Sequence, residues 1–404
     1  MKHSIKQSFQ RLSIILIILS SFFFPLSKNG VFIPIYEVIE SIIVLLCVFV
    51  ELILNKTSST KLFVSFSIIV YLFIGTIITL SQYKSGFVFG YVRCVYLVSS
   101  LLMFSIVCIN SIPFSFFKKT LDVVMVIVIV FSILSLINAF NLNDFFVNKY
   151  TQYREYITVY QFQLKKPLLT FGVHNIASFI YEGLFLLSWF SYKKLNEKRY
   201  MIYSIACIVL LLGLRCTTSI GYLIFSVAII VYSQSRSTKK LIISVFLLII
   251  CSIAALQFGL IDTYSDILGK EANGIIPRYF SGMESLYGNN LQMIKNTILG
   301  TGYCISDGTN GIYGADSGFI ISLMIGNVIY FIVFYCYIKK FLSDNINSKQ
   351  ATIIYVYVLL MELGFISFLY FRTIAFLLYI VLYLSSLNTL DERQDEKMGE
   401  IYAR

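Results

Sequence analysis

The fold class that this sequence predicts is all-α: a polytopic bundle of transmembrane helices, with about twelve spans and two long loops on one side of the membrane. Three observations predict it. The chain is 58% hydrophobic and only 13% charged over 404 residues, a mixture that a protein with a water-facing surface cannot sustain. Apolar runs long enough to cross about 30 Å of hydrocarbon recur along its length. Lys and Arg gather in every second connection between those runs, the bias that orients helices in a bilayer.

In order, the runs cover 12–27, 31–54, 62–81, 87–111, 120–140, 171–192, 200–214, 218–234, 241–259, 316–338, 351–370 and 373–388. The first follows Lys2, Lys6 and Arg11 and so has the charge and apolar order of a signal peptide, but no small-residue cleavage site follows it and it reads as a span. With the N-terminus cytoplasmic, the inner connections carry Lys56 and Lys61, Lys118 and Lys119, Lys193 to Arg199, Arg236 to Lys240, and Lys339 to Lys349. The short outer connections carry single cations, Lys28, Lys84, Arg215 and Arg372. Only the outer loops 141–170 and 260–315 hold more, and long loops translocate largely regardless of charge. Both termini are therefore expected in the cytoplasm. Residues 1–390 read as one membrane domain and 391–404 as a cytoplasmic tail, with the polar end from Asn388 onward expected to be disordered. No internal repeat or low-complexity tract interrupts the pattern.

Composition also excludes function classes. The net charge of +11 would suggest nucleic acid in a soluble chain, but here the cations orient spans, so no nucleic-acid partner is expected. Cys47, Cys94, Cys108, Cys207, Cys251 and Cys336 lie inside apolar runs, where Cys acts as a small hydrophobe. Cys216 and Cys304 fall near loops and leave a single bridge open, yet no paired spacing marks a metal site or a disulfide framework. No metal and no cofactor is implied.

Chemistry has one natural home, residues 275–334, the longest polar and Gly-rich reach in the chain. It opens with Pro277-Arg278, carries an amphipathic segment through Met283, Leu286, Leu291, Ile294 and Ile298, turns at Gly300-Thr301-Gly302, and re-enters apolar sequence at Asp316-Ser317-Gly318. The topology then gathers cations on the outer face: Arg93 just inside a run, Arg154 and the pair Lys165-Lys166 in the first long loop, His174 at the head of the next run, then Arg215, Arg278 and Arg372. Opposite them stand Glu37 and Glu40, at i, i+3 spacing on one helical face, and Asp316. Each intramembrane ionisable residue is costly unless paired or wet, and so is a functional candidate. Structural readings stand beside these. Arg93 either contacts substrate or pairs with Glu37 or Glu40. Arg372 and Lys165 are expected to snorkel to headgroups. His174 serves either as a hydrogen-bond partner at a span end or in catalysis, and Glu182 and Glu362 read as buried structural carboxyls near mid-membrane, without a chain of partners.

Arginines offer bidentate donors to phosphate oxygens, and several converging ones would hold a pyrophosphate and stabilise it as a leaving group. A neighbouring His or carboxylate can take the proton of an attacking hydroxyl. Together they suit transfer of a group linked to a lipid pyrophosphate, outside the membrane.

The run from Arg278 (RYFSGMESL), NTILGTGY at 296–303, and the span opened by Asp316 with an internal Gly resemble the closing half of the Wzy-type O-antigen and capsule polymerases. FGVHNIASFIYEGLFLL at 171–187 resembles that family's span after its first large periplasmic loop, and LRCTTSIGYLIF at 214–225 its T-x-S-R-G element, with Ser219-Ile220 where the family has Ser-Arg and with Arg215 four residues earlier. The resemblance implies a GT-C-like bundle in the bacterial inner membrane and a metal-independent, inverting glycosyl transfer. The donor and the acceptor would both be undecaprenyl-pyrophosphate-linked glycans, with a chain-length regulator and a flippase as partners besides membrane lipids. It casts Arg278 and Arg154 as pyrophosphate ligands, Arg93 and Arg215 as further substrate contacts, and His174 or Asp316 as the group that assists the hydroxyl. An O-antigen ligase would use the same donor. A flippase or secondary transporter is the rival of another class, and would show repeated halves and broken spans.

Overall fold

The computed structural model describes residues 2–54, 59–82, 101–102, 112–151, 155–234, 300, 302, 317–365 and 367–402. Of the expected runs, 87–111 lies almost wholly outside these residues, and 241–259 and most of the loop 260–315 do so too. Helix makes up 85% of the interpretable residues, which settles the all-α class. Three described helices are long and apolar enough to cross a membrane, Phe114–Leu136, Ile325–Asn345 and Phe371–Leu390.

The elements follow the apolar runs. They are α1 Lys2–Phe22, α2 Pro34–Leu54, α3 Ser59–Gln82, α4 Phe114–Leu136, then two short helices, α5 Leu142–Tyr150 and α6 Glu155–Gln163. After a loop come α7 His174–Leu195, α8 Lys198–Leu214, α9 Thr217–Gln234, α10 Gly318–Asn345, α11 Ser348–Gly364 and α12 Phe371–Tyr402. Turn chemistry sets most boundaries. Asn138 adopts a left-handed conformation, ending the helix of run 120–140 at Leu136 rather than 140. Asn196 does the same after α7, and its N–H donates to the Tyr192 carbonyl at 2.8 Å. Asn347 caps α11, its side chain accepting from the Gln350 N–H at 2.9 Å.

Several expected boundaries are corrected. The first run stops at Phe22, because residues 27–32 form a small antiparallel hairpin, β1 Ser27–Lys28 with β2 Val31–Phe32, turned by Asn29-Gly30, both at positive φ. The run 351–370 ends as helix at Gly364, with a short 3-10 turn at Ser367–Leu369. The tail expected to be disordered continues as helix to Tyr402.

The α7 and α12 helices form the centre. The apolar window of α12 is 78% buried whereas that of α4 is 33%, so α12 is enclosed and α4 peripheral. Gly183 of α7 leaves the space that Phe376 and Ile380 of α12 occupy, so any larger residue there would push the two helices apart. Hydroxyl pairs tie the centre laterally: Ser191 of α7 with Tyr383 of α12 at 2.6 Å, and Thr120 of α4 with Tyr379 at 3.1 Å. The outer faces stay apolar, with Val123, Val126, Val130 and Ile133 of α4 exposed at helical spacing, a stripe suited to lipid.

The α10 helix departs most from its expected single span. At Asn327 the backbone leaves helical geometry, at φ 68 and ψ −173, and the chain doubles back. Phe319 lies with its ring centroid 5.8 Å from that of Phe331 and 5.3 Å from that of Tyr335, whereas an unbroken helix would separate residues 319 and 331 by about 18 Å. Residues 318–326 therefore form a half-helix folded against 328–345.

Candidate functional site

Backbone and side-chain contacts bring one set of helix ends together: the end of α1, the hairpin, the start of α2, α5, α6, the start of α7, the α8–α9 turn, the start of α10, the end of α11 and the start of α12. The hairpin docks on α5 through Leu26 N–H to the Lys149 carbonyl at 2.8 Å and Ser27 Oγ to the Asn148 carbonyl at 3.1 Å. The loop before α7 is held by Thr170, whose hydroxyl donates to the Phe22 carbonyl.

His174 opens α7, half-buried, and its Nδ1 accepts from Gln161 Nε2 of α6 at 2.8 Å. That bond places the proton of the neutral ring on Nε2, so the ring offers a donor at its free edge rather than a base. Lys166, buried, lies beside it, and its Nζ donates to the Arg215 carbonyl at 3.3 Å. Arg215 itself is half-buried in the α8–α9 turn in a left-handed conformation. Thr218 Oγ1 donates to Asn175 Oδ1 at 3.2 Å, and Ser178 Oγ meets the free thiol of Cys216 at 3.4 Å. The result is a cationic corner with polar walls, suited to an anion. His174 and Arg215, named from sequence, thus share one end of the bundle with Lys166. Arg93, Arg154, Arg278 and Asp316, as well as Cys304, lie outside the described residues.

A second group surrounds Glu362, in the last turn of α11, and it corrects the sequence reading. Glu362 has partners: Tyr335 Oη donates to Oε2 at 3.0 Å, Ser367 donates to Oε1 through its N–H at 2.8 Å and through its hydroxyl, and Ser317 Oγ donates to the Glu362 carbonyl at 3.0 Å. Its carboxylate lies directly over Gly318, the first residue of α10, where any side chain would collide with it. Glu182, in contrast, is met among the described residues by Ser226, whose hydroxyl donates to Oε2 at 2.6 Å. Gly364, at the end of α11, lies close to Thr218, which links this group to the cationic corner.

Arg372 supplies the third group and overturns its expected role. It is 2% exposed rather than snorkelling to headgroups. Its guanidinium donates to the Thr170 and Phe24 carbonyls and lies 5.6 Å from the Tyr150 ring centroid. Glu40 and Glu37 are the acidic groups whose field acts on it, so the carboxylates that the sequence offered as one of two roles for Arg93 have Arg372 as a counter-charge among the described residues. Burial pushes the Tyr150 phenol above its usual range, with Arg372 opposing that shift. Lys165, which was also expected to snorkel, is exposed and faces a groove beside α6. Sequence reasoning missed Gln161 and the role of Lys166. Apolar and polar residues of α6 are not separated onto two faces, so its periodicity carries no signal that could have found them.

Comparison with known protein families, with characterised proteins and with solved structures finds no match for this chain.

Proposed function

We propose that the chain is a polytopic glycosyltransferase with about twelve spans, of the O-antigen and capsule polymerase type, joining undecaprenyl-pyrophosphate-linked repeat units on the outer side of a bacterial inner membrane. The observation that supports it is the corner in which buried Lys166 lies beside His174 and donates to the Arg215 carbonyl, at one end of an apolar bundle. In this reading the corner holds the donor's pyrophosphate together with Arg278, Arg154 and Arg93. His174, with its proton on Nε2, donates to a phosphate oxygen as the glycosidic bond breaks. That leaves Asp316 to take the acceptor's hydroxyl proton, so that the hydroxyl oxygen attacks the anomeric carbon and undecaprenyl pyrophosphate departs. No metal is needed, because the cations meet the developing charge. A chain-length regulator and a flippase would be partners.

The test uses proteoliposomes supplied with undecaprenyl-pyrophosphate-linked repeat units. Products of two or more joined repeats, with release of undecaprenyl pyrophosphate, are expected. Arg278→Lys keeps the charge but loses the two-pronged donor geometry, and a transition-state contact of this kind is worth about 3 kcal/mol, so a loss of about a hundredfold is expected while protein abundance is unchanged. Full turnover by Arg278→Ala would end its assignment, and absence of joined repeats at every lipid loading would end the polymerase reading. Transfer to a lipid A core alone would favour the ligase. The doubled-back α10 favours a second reading, since broken helices shape transporter sites; movement of the lipid-linked glycan between leaflets, without bond formation, would select it.

A further inference from the structure

Between the end of α4 and the helices α5 and α6 lies an open groove of about 540 Å³, within the size range of small-molecule sites. Its floor is apolar, with Val147, Val159 and Phe162, and Phe162 is held flat against Phe146 with centroids 6.0 Å apart. Its walls carry the amides of Asn148 and Gln163, while Asn138 and Asn143 are tied to one another and to Ser135 at its rim. Among the described lining residues, Asp144 and Glu155 face one cation, Lys165. Glu155 is positioned over the hairpin turn, where a side chain at Gly30 would stand 3.2 Å from its carboxyl.

The groove and the cationic corner occupy neighbouring faces of one helix. Glu155, Val159, Phe162 and Gln163 repeat at helical spacing along the groove face of α6, while Gln161 reaches His174 and Thr158 donates to the Gly172 carbonyl at 3.4 Å on the other. The two faces differ in charge. Two carboxylates against one ammonium repel phosphates and acidic sugars, whereas amides and carboxylates pair with the alternating donors and acceptors of vicinal hydroxyls, and an aromatic floor accepts the C–H face of a pyranose.

We propose that this groove is a saccharide subsite that takes uncharged sugars, hydroxylated or N-acetylated, and discriminates against acidic ones. It rests on the glycosyl-transfer reading, and it places the glycan on the face of α6 that adjoins the pyrophosphate corner.

The experiment applies the purified full chain in detergent to an array of neutral, N-acetylated and uronic-acid oligosaccharides. Retention on uncharged glycans, at least about tenfold above acidic ones of equal length, is expected. Asn148→Ala combined with Gln163→Ala should weaken it about tenfold, with an unchanged melting temperature as the control for folding. Glu155→Lys provides the independent readout: reversing the wall charge should move retention toward the acidic glycans, which a merely structural Glu155 would not do. Absence of retention on every uncharged glycan, preference for acidic ones, or indifference to all three substitutions would overturn the subsite. The two proposals fail separately: transfer without array binding removes only the groove, and array binding without transfer removes only the enzyme.

Discussion

A buried guanidinium is expensive to desolvate, and Arg372 persists because the fold gives it carbonyl acceptors from two separate segments and the field of the carboxylates of α2. It ties the end of α1, through Phe24, to the loop before His174, through Thr170, beneath the acidic side chains at the head of α2. Neither Glu40 oxygen has a hydrogen bond of good geometry, although the Ser20 hydroxyl is close, so Glu40 depends on Arg372 for compensation. Removing one partner of such a pair costs about 3–5 kcal/mol, because the other charge is left buried. Arg372→Ala should therefore abolish accumulation of folded protein, and Arg372→Met with Glu40→Gln should recover part of it. Membrane abundance and detergent melting temperature measure both. An Arg372→Ala protein as abundant and stable as the parent would show that the guanidinium contributes little.

The break in α10 rests on a small set of polar contacts. Asn327 Oδ1 accepts from the Ile329 and Tyr330 N–H groups at 2.7 and 3.1 Å, capping the second half of the helix, while Asn327 Nδ2 donates to Tyr71 of α3 at 2.5 Å. Tyr71 in turn donates to the Gly326 carbonyl at 3.2 Å. Gly302 fills the gap from the other side: its N–H donates to the Ile325 carbonyl at 2.8 Å, and its positive φ and missing side chain allow it against Leu72 and Thr76 of α3. Asn327→Ala removes both the cap and the tie and should lower stability by about 2 kcal/mol. Gly302→Val should be worse, since its side chain would enter the α3 backbone. Thermal unfolding in detergent ranks the two, and a Gly302→Val protein as stable as the parent would show that the turn does not pack there.

Across the described residues, the ends that carry the cationic corner, the Glu362 group and the groove beside α6 all come to the same end of the bundle. Function as an outer-face enzyme requires that end to face out. Reporter fusions after Phe145 and after Gly288 should both read as outside, and one after Tyr383, deep in α12, should read as inside. A cytoplasmic signal from either loop fusion would separate the two loops and remove the shared site.

Hydrophobicity and charge bias act locally, and they alone determined that the chain is helical, where most helices lie and which ends share a side. Residues such as His174 and Arg215 were legible for the same reason: a polar group at the edge of an apolar run stands out without any knowledge of its neighbours. Asn29-Gly30 fell in the connection between two runs, but Ser27, Val31 and Phe32 beside it, which form the hairpin, were read as the ends of those runs. Partnership was not legible, because it joins residues far apart in sequence. The neighbours of Arg372 come from residues 24, 40, 150 and 170, and those of Glu362 from 317, 335 and 367. The reversal at Asn327 depends on Tyr71 and Gly302 filling the space that it opens. Only the tertiary structure could decide these, since the cost of burying a charge or breaking a helix is offset by groups that chain order does not bring near.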